Sequence, residues 1–314
     1  MELLGAPADL PLVGAHAISA DGSVIAGVVA SDPSRPHDQD LWRAFRWTQA
    51  TGFELLPEIP AAGNVLLSAD GRVLVSGARR WSDGIVDEIP YINPSGISAD
   101  GSVIAGRQGG ALRLEDGVVS ALPIPPLDPD YRGDHAEAED ISADGSTLVG
   151  HARRSEFESE GQRYSNWEAA FWRDGVFTSI GALPGDTVAG AFSVSADGSV
   201  IGGASGDVAA FRLTAFLWSA DGGVLDVKLL LAAQGIDLSG WELWNVTGLS
   251  ADGHTLFGHG TNPQGRLVGW VATVPEPATA LPLAIGSASL ALAARARRLA
   301  GCARRRAGAA TGEA

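Results

Sequence analysis

The chain has 314 residues, 45% of them hydrophobic, enough for one large β domain or two ordinary ones. Its formal net charge is −15; with residues 275–314 set aside, 16 basic face 35 acidic residues, and so acidic a body would be repelled by phosphate backbones, which excludes nucleic acid as a partner. Cys302 is the only cysteine, so neither an intrachain disulfide nor a cysteine zinc site can form.

Forty-one glycines and many short apolar runs favour a turn-rich, all-β protein. At the start, Met1-Glu2-Leu3-Leu4-Gly5 has no basic region and no long apolar stretch, so it is not a secretory signal. An export signal is therefore expected upstream, with the true start there or the sequence a fragment.

The next feature is a repeat. Ile18-Ser19-Ala20-Asp21-Gly22-Ser23-Val24-Ile25-Ala26-Gly27 returns around Ser68, Ser98, Ser142, Ser195 and Ser250. The six aspartates are Asp21, Asp70, Asp100, Asp144, Asp197 and Asp252, spaced 49, 30, 44, 53 and 55 residues apart. The phrase predicts a hairpin. Ala and Asp suit the two central positions of a type I turn, and Gly takes the left-handed conformation after them. The Ser hydroxyl and Asp carboxylate can cap N–H groups of the turn. This assigns the six aspartates a structural role.

A second phrase alternates with the first: an aromatic strand, a glycine turn, then an apolar strand. Ala44-Phe45-Arg46-Trp47, Ala170-Phe171-Trp172-Arg173-Asp174-Gly175 and Ala215-Phe216-Leu217-Trp218 are the clear copies. Trp81-Ser82-Asp83-Gly84 and Leu112-Arg113-Leu114-Glu115-Asp116-Gly117 are weaker ones. Together the phrases make about four strands per unit, which predicts a β-propeller-like array of about six repeats over residues 1–274. The last unit stops after Gly269-Trp270-Val271-Ala272-Thr273, without a final apolar strand. Glu2-Leu3-Leu4-Gly5 reads as that missing strand, so the N-terminal strand is expected to close the ring and remove its sheet edge. Residues 155–166 read as an insertion.

Candidate chemistry is sparse. Asp128, Asp130 and Glu139 fall at positions 1, 3 and 12 of a calcium-loop template, with Asp134 inside it and Gly133 at position 6. Arg132 stands where an oxygen ligand is required, and no amphipathic helix flanks the segment, so a solvated acidic loop competes with calcium binding. The six histidines contain no metal pair of familiar spacing, and no nucleophile elbow or phosphate loop is present. No catalytic residue and no other cofactor is expected. Most of the nine tryptophans occupy repeat-equivalent strand positions and should pack between repeats; Trp42, Trp167 and Trp241 lie near insertions and are the candidates for stacking on sugars.

After Val274 the composition changes. Pro275-Glu276-Pro277 cannot continue a central strand. Residues 278–294 carry no charge, and Arg295, Arg297, Arg298, Arg304, Arg305 and Arg306 follow. As a helix the charge-free stretch would span roughly 26 Å, slightly short of a bilayer core, with the arginines held cytoplasmic. Residues 275–314 are thus expected to be a tail with a C-terminal transmembrane-type helix.

The order Pro275-Glu276-Pro277, apolar stretch, Arg295-Ala296-Arg297-Arg298 resembles the PEP-CTERM sorting signal of Gram-negative bacteria. The resemblance covers about the last 40 residues, and the chain departs from it in an Ala-rich extension after Arg298. It implies an exosortase-type membrane protease as partner. It also implies an inner-membrane-anchored precursor whose body is passed to the cell surface or secreted, and association with exopolysaccharide. The alternation of Ser-Ala-Asp-Gly with Ala-Phe-Arg-Trp over most of residues 13–274 is similar to HAF-type extracellular repeats, which implies a surface repeat protein and no known catalytic activity. The expected function is a non-catalytic display or binding module that takes exopolysaccharide or other surface proteins. A polysaccharide-active hydrolase or lyase on the same scaffold is the alternative, and a membrane-anchored adhesin with an uncleaved tail a third reading.

Overall fold

A computed structural model describes residues 10, 12–61, 63–124, 135–159, 162–207 and 212–274. The chain folds into six antiparallel sheets of four strands each, in chain order. The first holds β1 (Leu12–Ile18), β2 (Val24–Ala30), β3 (Trp42–Thr48) and β4 (Gly52–Pro60). The second holds β5 (Leu66–Leu67), β6 (Val73–Ser76), β7 (Arg79–Ser82) and β8 (Ile85–Glu88); the third, β9 (Pro94–Ile97), β10 (Val103–Gly106), β11 (Leu112–Glu115) and β12 (Val118–Ala121). The fourth holds β13 (Ala136–Ile141), β14 (Thr147–Ser159), β15 (Gln162–Arg173) and β16 (Val176–Gly181); the fifth, β17 (Val188–Val194), β18 (Val200–Asp207), β19 (Arg212–Ser219) and β20 (Gly223–Asp226). A short helix, α1 (Val227–Ala233), leads to the sixth, made of β21 (Glu242–Leu243), β22 (Gly248–Leu249), β23 (Thr255–Thr261) and β24 (Leu267–Thr273). There β21 and β22 are two pieces of one interrupted strand, since both pair with β23. Among the described residues this sheet therefore lacks an outer strand, as its sequence predicts. Glu2–Gly5, expected to supply it, lies outside the described residues, as does everything after Val274, the tail residues Pro275, Glu276, Pro277, Arg295, Arg297 and Arg298 included. Among the described residues no helix is long and apolar enough to cross a membrane.

Each Ser-Ala-Asp-Gly phrase joins the first and second strands of its sheet, and all six turns share one geometry. The turn glycines have φ between 71° and 75°. Each Ser Oγ donates to the Asp Oδ1 at 2.5–2.8 Å. The same Oδ1 accepts the N–H two residues on, at 2.9–3.0 Å. The Ser Oγ also accepts the N–H that opens the second strand, at 2.8–3.0 Å. One hydroxyl and one carboxylate thus satisfy N–H groups that the tight turn would otherwise orphan. The aromatic hairpins of sheets two, three and four turn on Asp83-Gly84, Asp116-Gly117 and Asp174-Gly175, both residues at positive φ, the type I′ signature.

The turns also lock the sheets to one another. Ala20 N–H donates to the carbonyl of Ala69, Asp70 to Ala99, Ala99 to Ala143, Ala143 to Ala196 and Ala196 to Ala251. Each turn glycine packs on the residue that opens the second strand of the preceding sheet: Gly71 on Val24, Gly101 on Val73, Gly145 on Val103, Gly198 on Thr147 and Gly253 on Val200. Five buried clusters fill the five gaps between consecutive sheets. Trp81 and Trp172, at the same place in their sheets, and Trp270, where Phe45 and Phe216 stand in theirs, are buried in three of them, the packing role expected of strand tryptophans. Arg173 continues the pattern from the side: its Nε donates to Thr147 Oγ1 and its Nη2 to the Gly198 carbonyl of the next turn.

The series stops at the first turn. Gly22 meets only its own Ile18 among the described residues, and Ile18 is 61% exposed, whereas Leu67, Ile141 and Val194 at the equivalent place are 6–8% exposed.

Candidate binding site between the fourth and fifth sheets

Strand β13 reads Ala-Glu-Ala-Glu-Asp-Ile, and its alternation sends Ala136 and Ala138 into the core shared with the third sheet. Counted back from its turn, β13 pairs Ile141 with Leu148 and Asp140 with Val149. A regular hairpin would next place Glu139 opposite Gly150 and Ala138 opposite His151. Instead a β-bulge absorbs Glu139, so Ala138 faces Gly150 and Glu137 faces His151. The extra residue moves His151 from an alanine to a carboxylate.

Around this pair four more side chains converge. His135 Nε2 lies 3.2 Å from Glu137 Oε1. His151 Nε2 is 3.9 Å from Glu137 Oε2, and its Nδ1 is 3.9 Å from Glu139 Oε1. Arg107, following β10 of the third sheet, donates from Nη1 to Glu139 Oε2 at 2.7 Å. Trp167 of β15 sets its ring edge-on to both histidines, with centroids 5.9 Å from His135 and 4.8 Å from His151. Beyond His151 and Trp167 a cleft of about 220 Å³ runs toward the fifth sheet, walled by Val188, Phe192 and Leu213.

Burial shifts the titration of two groups here. It lowers the His151 pKa, with the Glu137 charge pulling it back up and His135 and Arg107 adding to the decrease. It raises that of Glu139, against the opposing pull of Arg107. Asp140 lies beside them without joining them: its carboxylate accepts the N–H of Ile141 at 2.8 Å and, across the gap, that of Val194 at 3.0 Å. Desolvation raises its pKa to about 6, while those two N–H groups work the other way.

The repeated aspartates behave oppositely. Hydrogen bonds from Ser19 and Ser23 lower Asp21 to about 2, and equivalent bonds lower Asp100, Asp144, Asp197 and Asp252. A lowered carboxylate contributes stability above its unfolded pKa and loses it as pH falls; a raised one contributes below that pKa and loses it as pH rises. The melting temperature should therefore fall steeply on acidification from pH 4 toward 2. The advantage of the wild type over Asp140→Asn should shrink as pH rises from 4 through 6. Scanning calorimetry of both proteins across this range checks the sign; a difference that widens with pH refutes the assignment to Asp140.

Of the sites expected from sequence, the six aspartates all occupy the turns. Glu139 belongs to the cluster on β13 and is ion-paired with Arg107, while Asp128, Asp130 and Asp134 lie outside the described residues. Trp167 lies at the cleft as a half-buried aromatic. Trp42 instead packs against the first core and donates Nε1–H to Pro36, and the Trp241 carbonyl accepts from Lys228. Residues 155–166 are no loop: apart from 160 and 161 they lengthen the β14–β15 hairpin, pairing from Ser155–Asn166 out to Ser159–Gln162. Sequence spacing missed His135 and His151 as neighbours because they lie 16 residues apart and meet across a bulged register. The alternation His135-Ala-Glu137-Ala-Glu139 was the readable half of the signal.

No protein-family model matches the sequence, and no curated protein is similar to it. Solved structures are similar in fold. A prolyl endopeptidase is 13% identical with a TM-score of 0.51, over 88% of this chain and 42% of that one. The β-propeller domain of the Trilobed protease from Pyrococcus furiosus, which has an open velcro topology, is 10% identical with a TM-score of 0.49, over 87% and 85%. TolB from Acinetobacter baumannii is 18% identical with a TM-score of 0.40, over 68% of this chain and 53% of that one. The chain thus spans about half the length of that TolB and less than half of the prolyl endopeptidase. Six successive antiparallel sheets, packed inner strand to inner strand, make the fold of this chain that of a β-propeller.

Proposed function

We propose that this protein is an exported bacterial surface or extracellular-matrix protein. In this reading residues 1–274 are a non-catalytic display and binding module, and residues 275–314 are a PEP-CTERM-type tail handled by an exosortase-type membrane protease. One observation carries the non-catalytic reading: the acids of the repeat are committed to structure. Each of the six aspartates accepts from its Ser hydroxyl and from an N–H of its own turn. Carboxylates so engaged are poorly placed to act as free general bases. The ligand surface is the cleft beside Trp167, whose ring offers a face for a sugar, and the acidic body favours neutral exopolysaccharide over polyanions.

The propeller ring in this reading is closed by residues 2–5 pairing with the free edge of β24. Val29 and Phe45 support it: they are fully buried on the face of the first sheet opposite its shared core. The second reading, a polysaccharide hydrolase or lyase, draws on the three successive acids Glu137, Glu139 and Asp140 on one inner strand.

Two measurements test the proposal. In a host with an exosortase, mass spectrometry of the mature protein should find a C-terminus that has lost Arg295–Arg306; an intact arginine-rich end refutes sorting. The purified chain should co-sediment with matrix exopolysaccharide and lose roughly tenfold in affinity on Trp167→Ala, leaving the polymer uncut. New chain ends released by wild type but not by Glu137→Gln would replace this reading with the enzymatic one.

A further inference from the structure

We propose that Glu137, Glu139 and His151 form a binding site for one divalent transition-metal ion of the zinc class. Among the described residues each carboxylate has one oxygen tied and one oxygen open. Glu137 Oε1 is engaged by His135 and Glu139 Oε2 by Arg107, while Glu137 Oε2 and Glu139 Oε1 each face a ring nitrogen of His151 at 3.9 Å. That separation is too long for a hydrogen bond. It is within the reach of two ligands on one ion, whose bonds of about 2.1 Å allow ligand atoms to stand up to about 4.2 Å apart. The two contacts use different ring nitrogens, and one ion takes only one of them, so the ion sits between Nδ1 and Glu139 Oε1. One donor atom from each of the three residues lies within 4.8 Å of the others, and a small side-chain rotation of Glu137 brings it into the set.

A second observation is independent of the acids. His151 Nδ1 is shielded from solvent and has no hydrogen-bond partner. Buried ring nitrogens in native proteins are rarely left so, and an ion shared with Glu139 would satisfy this one. Burial also lowers the His151 pKa, which favours the neutral form that a metal needs. The surroundings suit a metal centre: Arg107 and His135 orient the carboxylates from behind, and Trp167 holds both imidazoles edge-on. One nitrogen and two carboxylates match zinc-class ions, whereas calcium and magnesium take six or more oxygens. Three protein ligands leave a coordination position for a fourth, and His151 borders the cleft through which it can enter.

The repeat itself does not require these residues. The pair equivalent to Glu137 and His151 is Gly14 with Val28 in the first sheet and Gly190 with Ala204 in the fifth. Neither offers a ligand atom.

The test uses the full, untagged chain stripped with chelator and titrated with Zn²⁺ by calorimetry, and with Co²⁺ by visible absorption. Wild type should bind one ion per chain, with cobalt bands of a low-coordinate site and a raised melting temperature in Zn²⁺. Glu139→Gln and His151→Ala should each weaken binding at least tenfold and lose the cobalt bands. His37→Ala, at an exposed histidine, should bind as wild type does. Melting without metal separates ligand loss from misfolding, and Glu137→Gln serves where His151→Ala fails to fold. Absence of Zn²⁺ uptake by the wild type overturns the site, as does unchanged uptake by folded Glu137→Gln and Glu139→Gln proteins.

Discussion

Gly150→Ala is expected to destabilise the protein by about 3 kcal/mol. A Cβ at Gly150 would lie far inside van der Waals contact of the Glu137 carbonyl oxygen, 2.9 Å from its carbon and 3.1 Å from Ala138 Cα. These are backbone atoms of the paired strand, so no side chain can rotate away, and the bulge must open. Opening it also pulls Glu137 off His151, so the cluster on β13 should be lost with the stability. Gly27, Gly203 and Gly258 face the carbonyls of Gly14, Gly190 and Asn245 in the same way, and Gly106 faces that of Ile92. The second sheet explains the exception, Ser76. There β5 pairs over only two residues, no bulge forms, and the Ser76 hydroxyl donates to Pro60 instead. Urea titration checks the prediction: Gly150→Ala should lower the midpoint without changing the slope. Gly269→Ala, whose Cβ would meet nothing closer than 3.9 Å, should stay within about 0.5 kcal/mol of wild type.

Ser142→Ala should cost about 1–3 kcal/mol although it removes a single oxygen. Ser142 is fully buried, and its hydroxyl both donates to Asp144 at 2.6 Å and accepts from Thr147 N–H at 3.0 Å. Alanine leaves that N–H buried without a partner. It also removes the first cause of the lowered Asp144 pKa, so the loss should be larger at pH 6 than at pH 3. Ser19→Ala, in the first turn, should behave alike, and since the first and fourth turns use separate side-chain partners and are not joined by a turn-to-turn bond the double variant should lose nearly the sum. Calorimetry of the three variants decides it; a double variant no less stable than either single one would contradict independent turns.

The hairpin turns were legible residue by residue because their chemistry is local. The six positions from the Ser to the first residue of the second strand contain the donors, acceptors and backbone freedom that the turn uses. The strand order followed from the same phrases, since short connections leave antiparallel neighbours as the simplest pairing. That the sixth sheet lacks an outer strand among the described residues was legible too, as a unit that stops after Gly269-Trp270-Val271-Ala272-Thr273. The β14–β15 extension was not: residues 155–166 are polar and lack the apolar alternation that marks a half-buried strand, so only cross-strand pairing reveals them.

The sequence by itself determined how often the chain turns, where each sheet begins and that tryptophans such as Trp81 and Trp172 pack between sheets. Those outcomes depend on residues close in the chain or repeated along it. Only the tertiary structure decided that Glu137 meets His151 rather than Ala138, and that Arg107 of one sheet secures Glu139 of the next. The physical reason is the period of two: one extra residue in β13 reverses which side chains share a face, and glycine at position 150 is what lets the neighbouring backbone accept it.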